Sequence, residues 1–130
     1  MTSSHTARWA GIAAAAAAVP VAMAFRFALV YRARAAFPRR NPPAVSPEAV
    51  GLAWEEIAIP RAHGAALPAW FMPAGQDPAP GVVLVHGWES ARDQTLPHAQ
   101  FLHAAGFHVL TFDVRGHGAN PPETLPVSAG

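Results

Sequence analysis

An α/β class is predicted for residues 52–130 of this 130-residue chain, preceded by one transmembrane helix. Two observations point to the α/β class. A fully apolar run at Val82–Val85 and a second strand-like run at His108–Phe112 flank a helical pattern, and each run ends in a glycine-bearing turn. A third observation points to the membrane helix: an almost uncharged stretch runs from Trp9 to Tyr31. The composition is 52% apolar and 13% charged, with no cysteine, so a disulfide framework, a thiolate nucleophile and a cysteine-based zinc site are excluded. The net charge of +1 conceals an asymmetry. Residues 1–47 carry six arginines and no acid, whereas residues 48–130 carry three arginines and all eight acids. The foldable part is therefore the acidic part, which argues against nucleic acid as a partner.

Residues 1–8 form a short tail. Residues 9–31 would span about 34 Å as a helix, enough for a hydrocarbon core of about 30 Å. Trp9 at one end and Phe25, Phe27 and Tyr31 at the other suit the two interfaces, and Arg26 is near enough to the end to snorkel. Pro20 would kink this helix, which membrane segments tolerate. Arg32, Arg34, Arg39 and Arg40 follow, so the positive-inside rule places a single-pass anchor with the rest of the chain in the cytoplasm. The alternative is a signal peptide over residues 1–24, cut after Ala22-Met23-Ala24, with export of the remainder. An alanine-rich extension with no membrane role is a third. Residues 32–51 form a basic linker in which Pro38, Pro42, Pro43 and Pro47 favour extended chain.

Within residues 52–130, Trp54–Ile59 partly alternates and Leu67–Met72 is a second short apolar run, so the connection Arg61–Ala66 predicts an antiparallel hairpin. Val82–Val85 is apolar on both faces and predicts a central strand covered by helices on each side. A helix follows, with Ser90 or Thr95 as its cap, Pro97 in its first turn, Ala99, Leu102 and Ala105 at helical spacing beside Phe101, and Gly106 as its stop. His108–Phe112 is the next strand, which makes a right-handed strand–helix–strand unit. Beyond Gly118, Pro121, Pro122 and Pro126 predict irregular chain.

The stretch VVLVHGWES…FLHAAGFHVLTFDVRGHG, residues 82–118, resembles the opening of an α/β-hydrolase domain, and the preceding hairpin with LPAWFMPA resembles the first strands of its lysophospholipase- and aminopeptidase-like serine-hydrolase branch. The resemblance covers residues 52–118. It implies that the third strand lies between the fourth and fifth, and that the turn after it supplies half of an oxyanion hole. The backbone N–H of Trp88 is the implied donor, with Gly87 in the same loop. A donor already aimed at the developing oxyanion costs no reorganisation, and losing one lowers rates by about 10²–10³. His86, Asp113, Arg115, Gly116, His117 and Gly118 are expected to be structural loop residues, with His117 no catalytic base. Glu89 and Asp93 are expected as solvated loop acids or caps. His98, His103 and His108 recur every five residues, which does not align them on one helix face, so no metal site is expected, and the resemblance implies no cofactor.

A serine hydrolase also needs Gly-x-Ser-x-Gly at a strand–helix elbow, then an acid and a histidine. No such motif occurs: of Ser3, Ser4, Ser46, Ser90 and Ser128, only Ser128 is near a suitable glycine, and Pro126 replaces the first glycine of the elbow. The expectation is thus the N-terminal fragment of a membrane-anchored serine hydrolase acting on small-molecule or lipid esters, with nucleophile, acid and base outside this chain. This chain alone is expected to be inactive. One alternative is a non-catalytic short membrane protein or broken-gene product. Another, within the same fold, is an epoxide-hydrolase-like enzyme, whose loop HGWES also resembles, although Glu89 stands where that loop usually has proline.

Overall fold

The computed structural model describes residues 3–123; Pro126 and Ser128 lie outside them. Helix α1 spans Ser3–Ala36, running past both ends of the apolar stretch and continuing through Pro20. It is long and apolar enough to cross a membrane, and its described side chains from Ala7 to Arg34 are all exposed.

Four strands build the sheet: β1 Glu55–Ile59, β2 Leu67–Met72, β3 Gly81–Val85 and β4 His108–Phe112. Their order is β1-β2-β4-β3, with β1 and β2 antiparallel, β2 and β4 antiparallel, and β3 and β4 parallel. The expected hairpin is present, in the register Ile57 opposite Ala69. Helix α2, Leu96–Ala104, carries the chain from β3 to β4. The register Val82–Val109 and Leu84–Thr111 places these residues on one face of the sheet. There Leu52, Trp70, Met72, Leu96, Ala99 and Val109 form the core, with Val50, Trp54, Leu84, Leu102 and Phe107 packed against it. Trp54 and Trp70 meet edge to face, 5.6 Å between centroids.

The sequence expectation for β3 needs correction. It is an edge strand among the described residues, and only one of its faces is covered. Val83 and Val85, which lie opposite Leu110 and Phe112, are 58% and 57% exposed. The neighbouring strand and second helix layer that an all-apolar strand calls for are not among the described residues.

The capping of α2 also differs. Thr95 precedes the helix, but its side chain makes no cap, because a 3-10 turn over Arg92–Thr95 runs straight into α2. Its hydroxyl has one proton, which goes to the Arg92 carbonyl at 2.7 Å, so the 2.8 Å contact with Thr111 is donated by the buried Thr111 hydroxyl. The C-terminal end agrees with the sequence. Gly106 at φ +90° donates to the His103 carbonyl, and Phe107 donates to Leu102. That pair of bonds closes the helix in a Schellman motif. Phe101, beside the helical repeat, faces outward at 73% exposure.

Candidate active site

The turn after β3 and the loop after β4 meet at the C-terminal ends of these parallel strands, the end at which open α/β sheets bind ligands. His86 is the hinge between them. Its Nε2 accepts the Val114 N–H at 3.1 Å, so its proton sits on Nδ1 and is donated to the Gly87 carbonyl at 2.8 Å. One buried imidazole thus joins the two loops, with both ring nitrogens engaged.

Asp113 is fully buried. Its carboxylate accepts the Arg92 N–H at 2.7 Å and the Ala119 N–H at 2.9 Å, and Arg92 Nη1 stands 3.8 Å away. The Arg92 guanidinium, itself buried, lies 4.3 Å above the Trp70 ring and reaches Glu56 at 3.2 Å. A buried charge requires such pairing, since desolvation alone would cost several kcal/mol. Asn120 closes the loop from the other side, donating through Nδ2 to the carbonyls of Asp113 and Val114 at 2.8 and 2.9 Å. Gly118, at φ +56°, passes so close that a Cβ there would overlap the Asp113 carboxylate. The loop of Asp113, Arg115, Gly116, His117 and Gly118 thus closes around one buried carboxylate.

His117 is 2% exposed and donates from Nδ1 to the Arg115 carbonyl at 2.8 Å. Its Nε2 is then an acceptor, and it is buried without a partner among the described residues. The Trp88 ring stands edge-on to it at 4.8 Å. Arg115 leans outward to Glu123, at 2.6 and 3.1 Å, and Arg61 binds the same carboxylate at 3.2 and 3.3 Å. The Arg115 and Arg61 hydrogen bonds hold the Glu123 carboxyl below its ordinary range.

Between the two loops lies an open cleft of about 490 Å³, lined by Leu67, His86, Gly87, Trp88, Phe112, Val114, Arg115 and His117. Among the described residues the Trp88 N–H donates to no acceptor. Glu89, next in the turn, adopts the left-handed conformation at φ +51°. The turn that carries the Trp88 N–H thus stands at the C-terminal end of β3, against the apolar cleft.

His98, His103 and His108 do not converge. His103 bonds the Pro73 carbonyl, His108 Nδ1 accepts the Ala74 N–H, and His98 is exposed. Sequence reasoning missed the roles of Arg92 and Asn120, both of which could be suspected only as polar residues flanking the two loops. It also missed the linker. Glu89 accepts the Arg39 N–H at 3.1 Å and, through its carbonyl, Asn41 Nδ2 at 2.7 Å, while Asp93 accepts the Ala44 N–H at 2.8 Å. These loop acids thus anchor residues 39–44 to the domain.

No family model and no curated protein matches the chain. Among solved structures it is similar to the Pyrococcus furiosus esterase Pf2001. In one crystal form the TM-score is 0.59 at 26% identity, covering 71% of this chain and 36% of the esterase. In a second the TM-score is 0.57 at 26% identity, covering 66% and 33%. The chain therefore spans about a third of the esterase's length. Its mixed sheet with the helix between β3 and β4 is α/β-hydrolase-like.

Proposed function

We propose that this chain is the N-terminal part of a membrane-anchored serine hydrolase acting on carboxylic ester or related acyl substrates. The observation that carries the reading is the Trp88 N–H, without an acceptor among the described residues, on the turn after β3 that lines an apolar cleft in a sheet ordered β1-β2-β4-β3. Likeness to an esterase in both fold and sequence supports it. In this reading the Trp88 N–H, presented by Gly87, stabilises the oxyanion of the tetrahedral intermediate. The His86 and Asp113 bonds hold the two loops so that the donor needs no reorganisation as charge develops. The nucleophile, acid and base come from outside these residues, since no Gly-x-Ser-x-Gly occurs within them. Helix α1 is the anchor, and Arg32 and Arg34 at its end with Arg39 and Arg40 after it hold the hydrolase part in the cytoplasm.

Fluorophosphonate labelling of the protein in its native membranes, followed by peptide mapping, tests this. A labelled serine in a Gly-x-Ser-x-Gly peptide contiguous with this chain is expected. Absence of labelling, or a label on Ser90, would overturn the reading; an aspartate at the elbow position would assign the chain to epoxide-hydrolase-like chemistry instead.

A further inference from the structure

The end of α1 and the candidate active site share a wall. Tyr31, Arg34 and Ala35 of the helix enclose a cleft of about 470 Å³ with Trp88 and Glu89, and Trp88 also lines the candidate active-site cleft. Only residues 37 and 38 separate the helix end at Ala36 from Arg39, whose N–H is bonded to Glu89. Extended chain covers at most about 3.6 Å per residue, so Arg39 lies within roughly 11 Å of the helix end, and from there its N–H reaches the Glu89 side chain at 3.1 Å. The attachment is multiple. Asn41 holds the Glu89 carbonyl, Ala44 holds Asp93, and Arg40 Nη1 donates to the Asn120 carbonyl at 2.8 Å. Residues 39–44 therefore strap the helix to both loops that bound the candidate active site. They are no free tether.

Helix length then sets the depth. Its 34 residues extend about 51 Å, about 20 Å more than a hydrocarbon core. The last turns consequently emerge among headgroups, where exposed Tyr31 and the cations Arg32 and Arg34 suit an anionic leaflet. Trp88, 55% exposed, sits at that level.

We infer that the candidate active-site cleft opens at the membrane surface where α1 emerges, and that its substrate is the ester of a membrane-resident amphiphile drawn from that leaflet. This rests on the proposed membrane anchoring and hydrolase activity. It adds the substrate's physical class: an acyl chain enters the apolar cleft from the bilayer, and the ester carbonyl comes to the Trp88 N–H.

These 130 residues contain no cysteine, so an introduced thiol is the only one within them. Gly87→Cys lies at the cleft, and Gly75→Cys lies at the opposite end of the strands; a Cβ at either glycine meets nothing within 4 Å. Val85→Cys, on the exposed edge of β3, repeats the near-cleft measurement without altering the turn. Each full-length variant, labelled with bimane, is reconstituted into phosphatidylcholine–phosphatidylglycerol vesicles, some containing phosphatidylcholine with a nitroxide near its glycerol. Severalfold stronger quenching by the lipid nitroxide at positions 87 and 85 than at 75 is expected, with the reverse order for iodide in the water. Equal quenching at all three positions in protein that floats with the vesicles would overturn this inference alone, placing the cleft in water and favouring soluble esters. Protein that fails to float would overturn the membrane anchoring as well.

Discussion

Replacing Asp113 by asparagine tests whether the loop after β4 is organised around one buried charge. The side chain keeps its size, so packing is conserved. What changes is the acceptor set. Asp113 receives two backbone N–H groups, from Arg92 and Ala119, and faces the Arg92 guanidinium 3.8 Å away. Asparagine offers one oxygen, so one N–H meets an amide that can only donate, and the Arg92 cation loses its buried counter-charge. Breaking a buried ion pair from one side costs about 3–5 kcal/mol, and Arg92 retains only the largely exposed Glu56. We expect Asp113→Asn to cost about 3–5 kcal/mol. The assay is urea unfolding of the full chain in detergent micelles, followed by the near-ultraviolet dichroism of the Trp54–Trp70 pair. Asp113→Asn combined with Arg92→Met should be less damaging than Asp113→Asn alone, about 1–3 kcal/mol, because only one N–H is then unsatisfied. A loss below about 1 kcal/mol for the single variant, or a double variant worse than the single, would refute the reasoning.

Further outcomes follow from the same geometry. Gly118→Ala places a methyl group against the Asp113 carboxylate at a residue with φ +56°, so a loss of at least about 2 kcal/mol is expected by the same unfolding assay, more than strained φ alone would cost. Glu123, held charged by Arg115 and Arg61, should show a carboxyl carbon titration midpoint below the ordinary 4.5. Because its folded value is lowered, its contribution to stability is fully present above 4.5 and is lost as the pH falls through the folded midpoint. A midpoint at or above 4.5 would show that the two arginines do not hold it. Residues 48–130 expressed alone should aggregate through the exposed edge of β3, and Val83→Lys should raise the soluble fraction measured by sedimentation. Unchanged solubility would show that this edge is not the aggregating surface.

Local chemistry was legible in the sequence wherever it is one-dimensional. The hairpin, the apolar β3, the Schellman end at Gly106 and the run from Trp9 to Tyr31 each follow from residue type and period, because backbone propensity and hydrophobic spacing act within a few positions. The two glycine-bearing loops were also visible as motifs, and the resemblance they carry agrees with the observed strand order.

Pairings between distant residues were decided only by the tertiary structure. That Thr95 turns inward to Thr111 instead of capping α2 depends on a partner 16 positions away. That Arg92 and Asn120 stabilise the Asp113 loop follows from the requirement that buried polar groups find partners, wherever the chain brings them. The linker shows the difference most clearly. Pro38, Pro42 and Pro43 favour extended chain and Pro47 opens a 3-10 turn over Pro47–Val50, but only folding places Arg39, Asn41 and Ala44 against Glu89 and Asp93, some fifty residues on. Extended chain leaves its own N–H groups unpaired, and where it settles depends on which acceptors the folded surface presents.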